Sequence, residues 1–292
     1  MSRYGRAPSL LLGLIGQDIQ ASRTPEMQMR EAEAQGLRCI YRLIDLSALG
    51  LGVAALPDLL AACERLGFDG LNITHPCKQA VIPHLDDLSE DARALGAVNT
   101  VLFRDGRRIG HNTDWSGFAE PFRRKMAGAP LDRVVQLGAG GAGAAVAHAA
   151  LTLGVERLTV FDVDPARAAA VTANLARHFG PGRAVAGTDR AAAMAQASGL
   201  INATPVGMAA HPGLPLDAQL LRPDLWVAEV IYFPLETELL RRARALGCRT
   251  IDGGGMAVFQ AVAAFRLFTG REPDSDRMIA QFQSMGDPPA AG

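Results

Sequence analysis

The sequence predicts an α/β protein of two domains, the second built on a largely parallel sheet with a Rossmann arrangement, and three observations carry that expectation. From Arg133 to about Asp252, strand candidates seeded at Val134, Leu158, Val185, Leu200 and Val227 alternate with Ala-rich helical stretches, the rhythm of βαβ units. A separate alternation of short apolar strands and helices fills the first hundred-odd residues. Between the first strand and helix of the repeating part lies Gly138-Ala139-Gly140-Gly141-Ala142-Gly143. At 292 residues the chain is long enough for two domains, and its 49% hydrophobic content supplies their cores. The expected division is a substrate domain, 1–115, completed by C-terminal helices 253–285, facing a dinucleotide domain, 116–252, across a cleft.

The elements follow in order. Residues 10–15 form a first apolar strand. Thr24-Pro25 opens a helix, with Thr24 as N-cap and Pro25 at the first helical position. Residues 39–45 are the next strand, and 56–66 a helix closed by Gly67. Residues 69–74 make a strand that runs into His75-Pro76, where Pro76 can start another helix. Residues 98–103 and Arg107–His111 read as a hairpin around Asp105-Gly106, a strong turn signal. A helix, Asp114–Lys125, leads into Ala127-Gly-Ala-Pro130, a hinge candidate, and its end at Arg123-Arg124-Lys125 reads as solvated. After the repeating units comes an apolar helix at 256–269, and the tail 286–292 reads as frayed.

Several classes are excluded early. A net charge of −1 with 5% aromatics gives neither a basic patch for nucleic acid nor a stacking platform for single strands. Arg3 and Arg6 precede an apolar run like a leader, but about six residues are too few and no small-residue cleavage site follows. No run reaches the roughly 18 apolar residues of a membrane span. Cys39, Cys63, Cys77 and Cys248 form no C-x-x-C pair and no metal-ligand spacing, so they read as free thiols in a reducing cytoplasm, and no metal is expected.

The glycine segment reads as a dinucleotide turn. Gly138 permits a tight turn, Gly140 lets backbone approach a pyrophosphate, and Gly143 allows close helix–strand packing. The helix N-terminus then offers its N–H groups to phosphate. The next strand ends in Asp162, roughly 20 residues on, where a ribose-binding acid is expected. The expected cofactor is NAD. In the first domain, Ser22 and Thr24 follow the first strand, Thr74 and Lys78 follow another, and Asn99, Asn112, Thr113 and Asp114 sit at the ends of the hairpin. Loops at strand ends are where α/β folds bind ligands. Each residue alone has a plainer reading: Lys78 a solvated lysine, Asp114 a helix cap, Ser22 and Thr24 turn residues, Gln260 a satisfied amide.

Together these residues resemble the shikimate dehydrogenase family. The marks are Gly16…Ser22-x-Thr24-Pro25, Asn72-Ile-Thr74-His-Pro-x-Lys78, Gly96-Ala-Val-Asn99-Thr100, Asn112-Thr113-Asp114, the Gly138 turn, Asn202-Ala-Thr204-Pro205 and Gly255-Met256-x-x-x-Gln260. The resemblance implies that Ser22 and Thr24 hold a substrate carboxylate and that Thr74, Lys78, Asn99, Asp114 and Gln260 grip ring hydroxyls. It implies a catalytic pair, Lys78 and Asp114, and a nicotinamide border at Tyr232, Gly253 and Met256, with Thr204, Pro205 and Arg167 also on the cofactor. Removing a hydroxyl proton while hydride leaves suits a lysine beside a carboxylate. A neighbouring carboxylate also favours charged Lys78, a poor base, so the proton is assigned to the pair and to neither member.

Two departures from the family pattern narrow the expectation. Thr24 stands where the biosynthetic pattern has Ser, and Phe161-Asp162-Val-Asp164-Pro-Ala-Arg167 stands where NADP-using members carry an Asn-Arg-Thr-type basic cluster. Both resemble the NAD-dependent quinate/shikimate dehydrogenases of bacteria. The implied activity is reversible oxidation of quinate to 3-dehydroquinate and of shikimate to 3-dehydroshikimate, by a monomer or homodimer with no nucleic-acid or membrane partner. The alternatives are a biosynthetic-type, NADP-dependent shikimate dehydrogenase, an aminoshikimate-type dehydrogenase, or a non-catalytic NAD-sensing protein.

Overall fold

The computed structural model describes residues 9–285; Arg3, Arg6 and the tail 286–292, on which two sequence expectations rest, lie outside the described residues. The chain forms two compact units. One runs to Thr113 and resumes at Ala261; the other is Asp114–Gln260. Among the described residues no helix is long and apolar enough to cross a membrane.

The first unit begins with β1 (Ser9–Gly16), α1 (Thr24–Ala34), β2 (Arg38–Asp45), α2 (Leu56–Arg65) and β3 (Gly70–Ile73). It continues through α3 (Cys77–Ala80), β4 (Asp87–Leu88), α4 (Glu90–Leu95), β5 (Thr100–Arg104) and β6 (Arg107–His111). Its sheet has the order β2-β1-β3-β5-β6-β4. The first three strands are parallel, and β3–β5 and β5–β6 are antiparallel. Alternation along β1 sends Leu12 and Leu14 to one face, with Tyr41, Leu102 and the later residues Ala264 and Phe268. Ile15 points to the other face, among Leu56, Leu60, Leu71 and Ile73. The β5–β6 turn at Asp105-Gly106 has φ of 53° and 70°, the left-handed pair a tight hairpin requires.

The second unit opens with α5 (Asp114–Lys125), then β7 (Arg133–Leu137), α6 (Gly141–Thr152), β8 (Arg157–Phe161), α7 (Pro165–Phe179) and β9 (Ala184–Ala186). It proceeds through α8 (Arg190–Ala195), β10 (Gly199–Asn202), β11 (Trp226–Glu229), α9 (Glu238–Ala245) and β12 (Arg249–Ile251). Every pair in the sheet β12-β11-β10-β7-β8-β9 is parallel. The strand order reverses between β7 and β10, the switch point at which doubly wound sheets leave a crevice. Val134, Leu158 and Ala228 pack with Phe118, Phe122 and Val146 on one face. Val135, Leu200 and Val227 pack with Met194, Leu239 and Leu240 on the other.

A helix does start after Pro76, as the single turn Cys77–Ala80. Three sequence expectations are corrected. Thr24 is the first residue of α1, Arg23 holds the cap position, and no side-chain cap bond forms there. The segment 127–130 lies inside the second unit, where Trp226 Nε1 donates to Pro130 O (2.8 Å); the chain crosses earlier, at Thr113/Asp114. The second crossing falls within α10 (Gly254–Thr269), at Gln260/Ala261, so that 253–260 group with the second unit instead of completing the first.

The C-terminal helix α11 (Ser275–Ser284) is tied to α1 by a buried carboxylate. Glu31 is fully buried and accepts from Arg277 Nη2 and Nε (both 2.8 Å), Asp274 N (3.0 Å) and Gln35 Nε2 (2.7 Å). Removing one partner of such a pair leaves a buried charge under-satisfied. Arg277→Ala is therefore expected to destabilise the first unit by about 3 kcal/mol, seen as a lowered urea midpoint, whereas Arg271→Ala on the surface nearby moves it little.

Candidate active site

In the first unit, the segments that carry the candidate substrate residues lie at one end of the sheet's strands. Ser22 and Thr24 follow β1, and Thr74 and Lys78 follow β3. Asn99 precedes β5, whose Thr100 pairs with Asn72 and with His111, so residues 112–113 emerge at the same end. The two loops are joined through backbone: Gln17 N donates to His75 O (3.0 Å) and Thr74 N to Ile15 O (2.9 Å). Thr24 N reaches Ser22 Oγ at 3.4 Å. Asn99 is buried, and its Oδ1 accepts from Thr113 N (2.8 Å) and Thr100 Oγ1 (3.0 Å) while Nδ2 donates to Thr113 Oγ1 (2.9 Å). That amide is held rigidly by its own unit. Lys78 is half-buried on α3.

A residue that sequence reasoning missed organises the first loop. Asp45, at the end of β2 and 4% exposed, accepts from Asp18 N (3.0 Å), Ile19 N (3.1 Å), Gln20 Nε2 (2.8 Å) and Ser47 N (3.1 Å). Asp18 sits at φ 55°, a left-handed conformation these bonds stabilise. The Gln20 amide, with the backbone donors, holds the Asp45 carboxyl below its ordinary value of 3.8 against the opposing effect of burial.

In the second unit, Asp114 is buried at the start of α5. The glycine turn behaves as the spacing predicts. Gly138 has φ 95°, and a Cβ there would lie 2.5 Å from Ala203 O; a Cβ at Gly143 would lie 2.4 Å from Gly138 O. Gln136 pins the turn from beneath, donating from Nε2 to Gly138 O (2.9 Å) and Gly143 O (2.8 Å). Gly140 and Gly141 are exposed, and a Cβ at either would meet nothing within 4 Å. The N-terminus of α6 carries no side-chain cap. Open space before a bare helix N-terminus fits an anionic pyrophosphate, with Ala139 and Ala142 completing the turn.

Asp162 follows β8 and accepts from Ala139 N (2.7 Å) on Oδ2 and Asp164 N (2.9 Å) on Oδ1. Each oxygen keeps a lone pair for a further donor. Asp164 caps α7 through Ala166 N (3.0 Å) and pairs with exposed Arg167 at 3.6 Å. Beside the turn, Asn202 closes β10 and Glu229 closes β11, both buried. Burial pushes the Glu229 carboxyl up to about 7, while Asn202, Thr237 and the amides of Val230 and Ile231 pull it down. Thr204 is half-buried, Pro205 exposed and Tyr232 49% exposed. Gly253 is buried with its N–H on Ile231 O (3.2 Å). Met256 and Gln260 lie on α10, and Gln260 Nε2 donates to Ala257 O of its own helix (3.1 Å).

Comparison with known proteins gives consistent matches. Residues 14–101 match the family model described as shikimate dehydrogenase substrate binding domain, and residues 253–281 match the shikimate 5'-dehydrogenase C-terminal domain. The chain is 63% identical over 279 residues to the shikimate dehydrogenase (NADP(+)) of Streptomyces avermitilis, covering 95% of this chain and 96% of that protein. It is 53% identical over 281 residues to the quinate/shikimate dehydrogenase (NAD(+)) of Corynebacterium efficiens, covering 95% and 99%. Among solved structures it resembles quinate dehydrogenase from Corynebacterium glutamicum in complex with NAD, with a TM-score of 0.91 and 51% identity over 95% of this chain and 99% of that one.

The Asp45 clamp yields a signed expectation. A carboxyl depressed on folding stabilises above its unfolded pKa and loses that contribution as pH falls through the folded value. Asp45→Asn should lower stability at pH 7 by roughly 1–3 kcal/mol, and its urea midpoint should converge on that of the wild type as pH falls below the ordinary carboxyl value of 3.8. A constant difference at every pH would assign the loss to packing and not to charge.

Proposed function

The chain belongs to the shikimate dehydrogenase family, and on that premise we propose that it is an NAD-dependent dehydrogenase that reversibly oxidises quinate to 3-dehydroquinate and shikimate to 3-dehydroshikimate. The observation that carries the reading is the gathering of Ser22, Thr24, Thr74, Lys78 and Asn99 at one end of the sheet, on segments clamped by Asp45 and by Asn99 itself. Hydroxyl, amide and ammonium groups in that company suit a small carboxylated polyol.

Ser22 and Thr24 take the substrate carboxylate. Thr74, Asn99 and Gln260 bind ring hydroxyls and fix which carbon is presented. The bound cofactor supplies the hydride acceptor. Lys78 and Asp114 receive the proton of the oxidised hydroxyl as one coupled unit, which stabilises the developing alkoxide and passes the proton on to solvent. In the reverse direction the same unit returns the proton to the carbonyl oxygen. The glycine turn, 138–143, with Thr204, Pro205, Tyr232, Gly253 and Met256, holds the cofactor.

The preference for NAD rests on Asp162, whose carboxylate is fixed by Ala139 N and Asp164 N with lone pairs left for ribose hydroxyls. A 2′-phosphate there would lose those bonds and face a like charge. Asp164 engages Arg167, the nearby cation that would otherwise serve a phosphate. A second reading, NADP as cofactor, is favoured by the name of the Streptomyces relative.

Two measurements test these proposals. kcat/KM for NAD and NADP, each against quinate and shikimate, is expected to favour NAD with both substrates; equal use of NADP would overturn the role of Asp162. Lys78→Ala should lose about 10²–10⁴-fold in kcat with a modest change in KM, and combine less than multiplicatively with Asp114→Asn. Wild-type kcat with only KM altered would make Lys78 a binding residue.

A further inference from the structure

Glu229 takes no part in the proton handling or cofactor contacts proposed above, yet it is the most heavily bonded buried carboxylate of the second unit's sheet. It is 2% exposed at the end of an apolar strand. Its oxygens accept from Asn202 Nδ2 (3.0 and 3.1 Å), Val230 N (2.9 Å), Ile231 N (3.1 Å) and Thr237 Oγ1 (3.0 Å). Asn202 Oδ1 in turn accepts from Thr204 N (3.1 Å) and Thr204 Oγ1 (2.7 Å), and its Nδ2 also donates to Val206 O (3.1 Å).

Two loops therefore rest on one carboxylate. Residues 203–206, after β10, hang from it through Asn202. Residues 230–232, after β11, hang from it directly and pass the constraint to Gly253 through Ile231 O. Those loops carry Thr204, Pro205 and Tyr232, residues assigned above to the cofactor. Burying an ionised carboxylate costs several kcal/mol unless donors compensate, and an apolar side chain would complete the strand at lower cost. What the carboxylate supplies, and an apolar residue cannot, is a common acceptor for both loops.

We propose that Glu229 is a positioning residue that fixes residues 203–206 and 230–232 in the relative geometry that orients the nicotinamide ring for hydride transfer. The proposal rests on the dehydrogenase reading given above. Hydride transfer is steep in distance, and a misplacement of about 1 Å can cost roughly 10²-fold in rate, whereas the adenine and pyrophosphate end of the cofactor is held elsewhere, by the glycine turn and Asp162. Loss of the hub should therefore reduce kcat while sparing dinucleotide affinity.

The experiment compares Glu229→Gln, which keeps size but turns one acceptor into a donor facing donors, with Glu229→Asp, which keeps the carboxyl group but is shorter. Thr237→Val removes one donor to Glu229, together with the cap that Thr237 Oγ1 gives α9 by accepting from Leu240 N. kcat is measured with NAD and quinate or shikimate, and Kd for ADP-ribose by titration calorimetry. Glu229→Gln is expected to lower kcat about 10–100-fold with Kd for ADP-ribose within about threefold of the wild type, Glu229→Asp to retain more kcat than Glu229→Gln, and Thr237→Val to lose less in the same direction. Wild-type kcat in a folded Glu229→Gln, or better activity in Glu229→Gln than in Glu229→Asp, would assign Glu229 to packing and overturn the role. Should Glu229→Gln fail to fold, an unchanged kcat in both Glu229→Asp and Thr237→Val would overturn it equally. If the wild-type protein turns over neither substrate with either dinucleotide, the dehydrogenase reading falls and this proposal with it; activity in the wild type with unperturbed variants removes the proposal alone.

Discussion

Parallel strands deliver their loops to the same end of a sheet, and the backbone N–H groups just beyond the ladder must find acceptors there. In this protein one device recurs: an acid at the end of one strand takes the donors of the loop leaving its neighbour. Asp45 pairs in register with Gly16 and holds the amides of Asp18 and Ile19. Asp162, one residue past the Leu137–Phe161 pair, holds Ala139. Glu229 pairs with Asn202 and holds that strand's loop through its amide. Because the side-chain period of a strand is two, a slip of one residue in any of these pairings would aim the acid at the opposite face. Site geometry thus depends on sheet register before it depends on any loop sequence.

The same device runs in two electrostatic regimes. β2 is the edge strand of its sheet, and on Asp45 the hydrogen-bond donors prevail over burial. β11 lies between two other strands, and on Glu229 burial prevails despite a comparable set of donors. Depth within the sheet, more than the count of donors, separates the two carboxyls. Cys63 follows the same logic with burial acting alone: it raises the thiol to about 11, which leaves it a poor nucleophile.

Much of this was legible in the sequence where a signal is local. The glycine turn, the Asp105-Gly106 hairpin and the βαβ strands each carry their cause within a few residues, and each forms as expected. Ser22, Thr24, Thr74, Lys78 and Asn99 were legible as residues flanking strand ends. Asp45 and Glu229 were not, because an acid at the end of an apolar run reads as solvated until the neighbouring strand and its register are known. Gln136 was missed for a related reason: a lone amide in a strand announces nothing about the turn it holds. The boundary inside α10 was invisible because the helix is apolar on both sides of Gln260, and composition does not change where the packing partner does.

That boundary has a consequence for how the chain is made. Ala264, Phe265 and Phe268 complete the cores against β1, β2 and α1, and Arg277 neutralises Glu31, yet all four are synthesised after the whole of the second unit. On the ribosome the amino-terminal sheet must wait, with one apolar face uncovered, until the inserted unit and then the last helices have emerged. The inserted unit has no such debt, since Asp114–Gln260 is continuous. Vectorial synthesis therefore favours an order in which the later-made unit matures first and the amino-terminal one closes last.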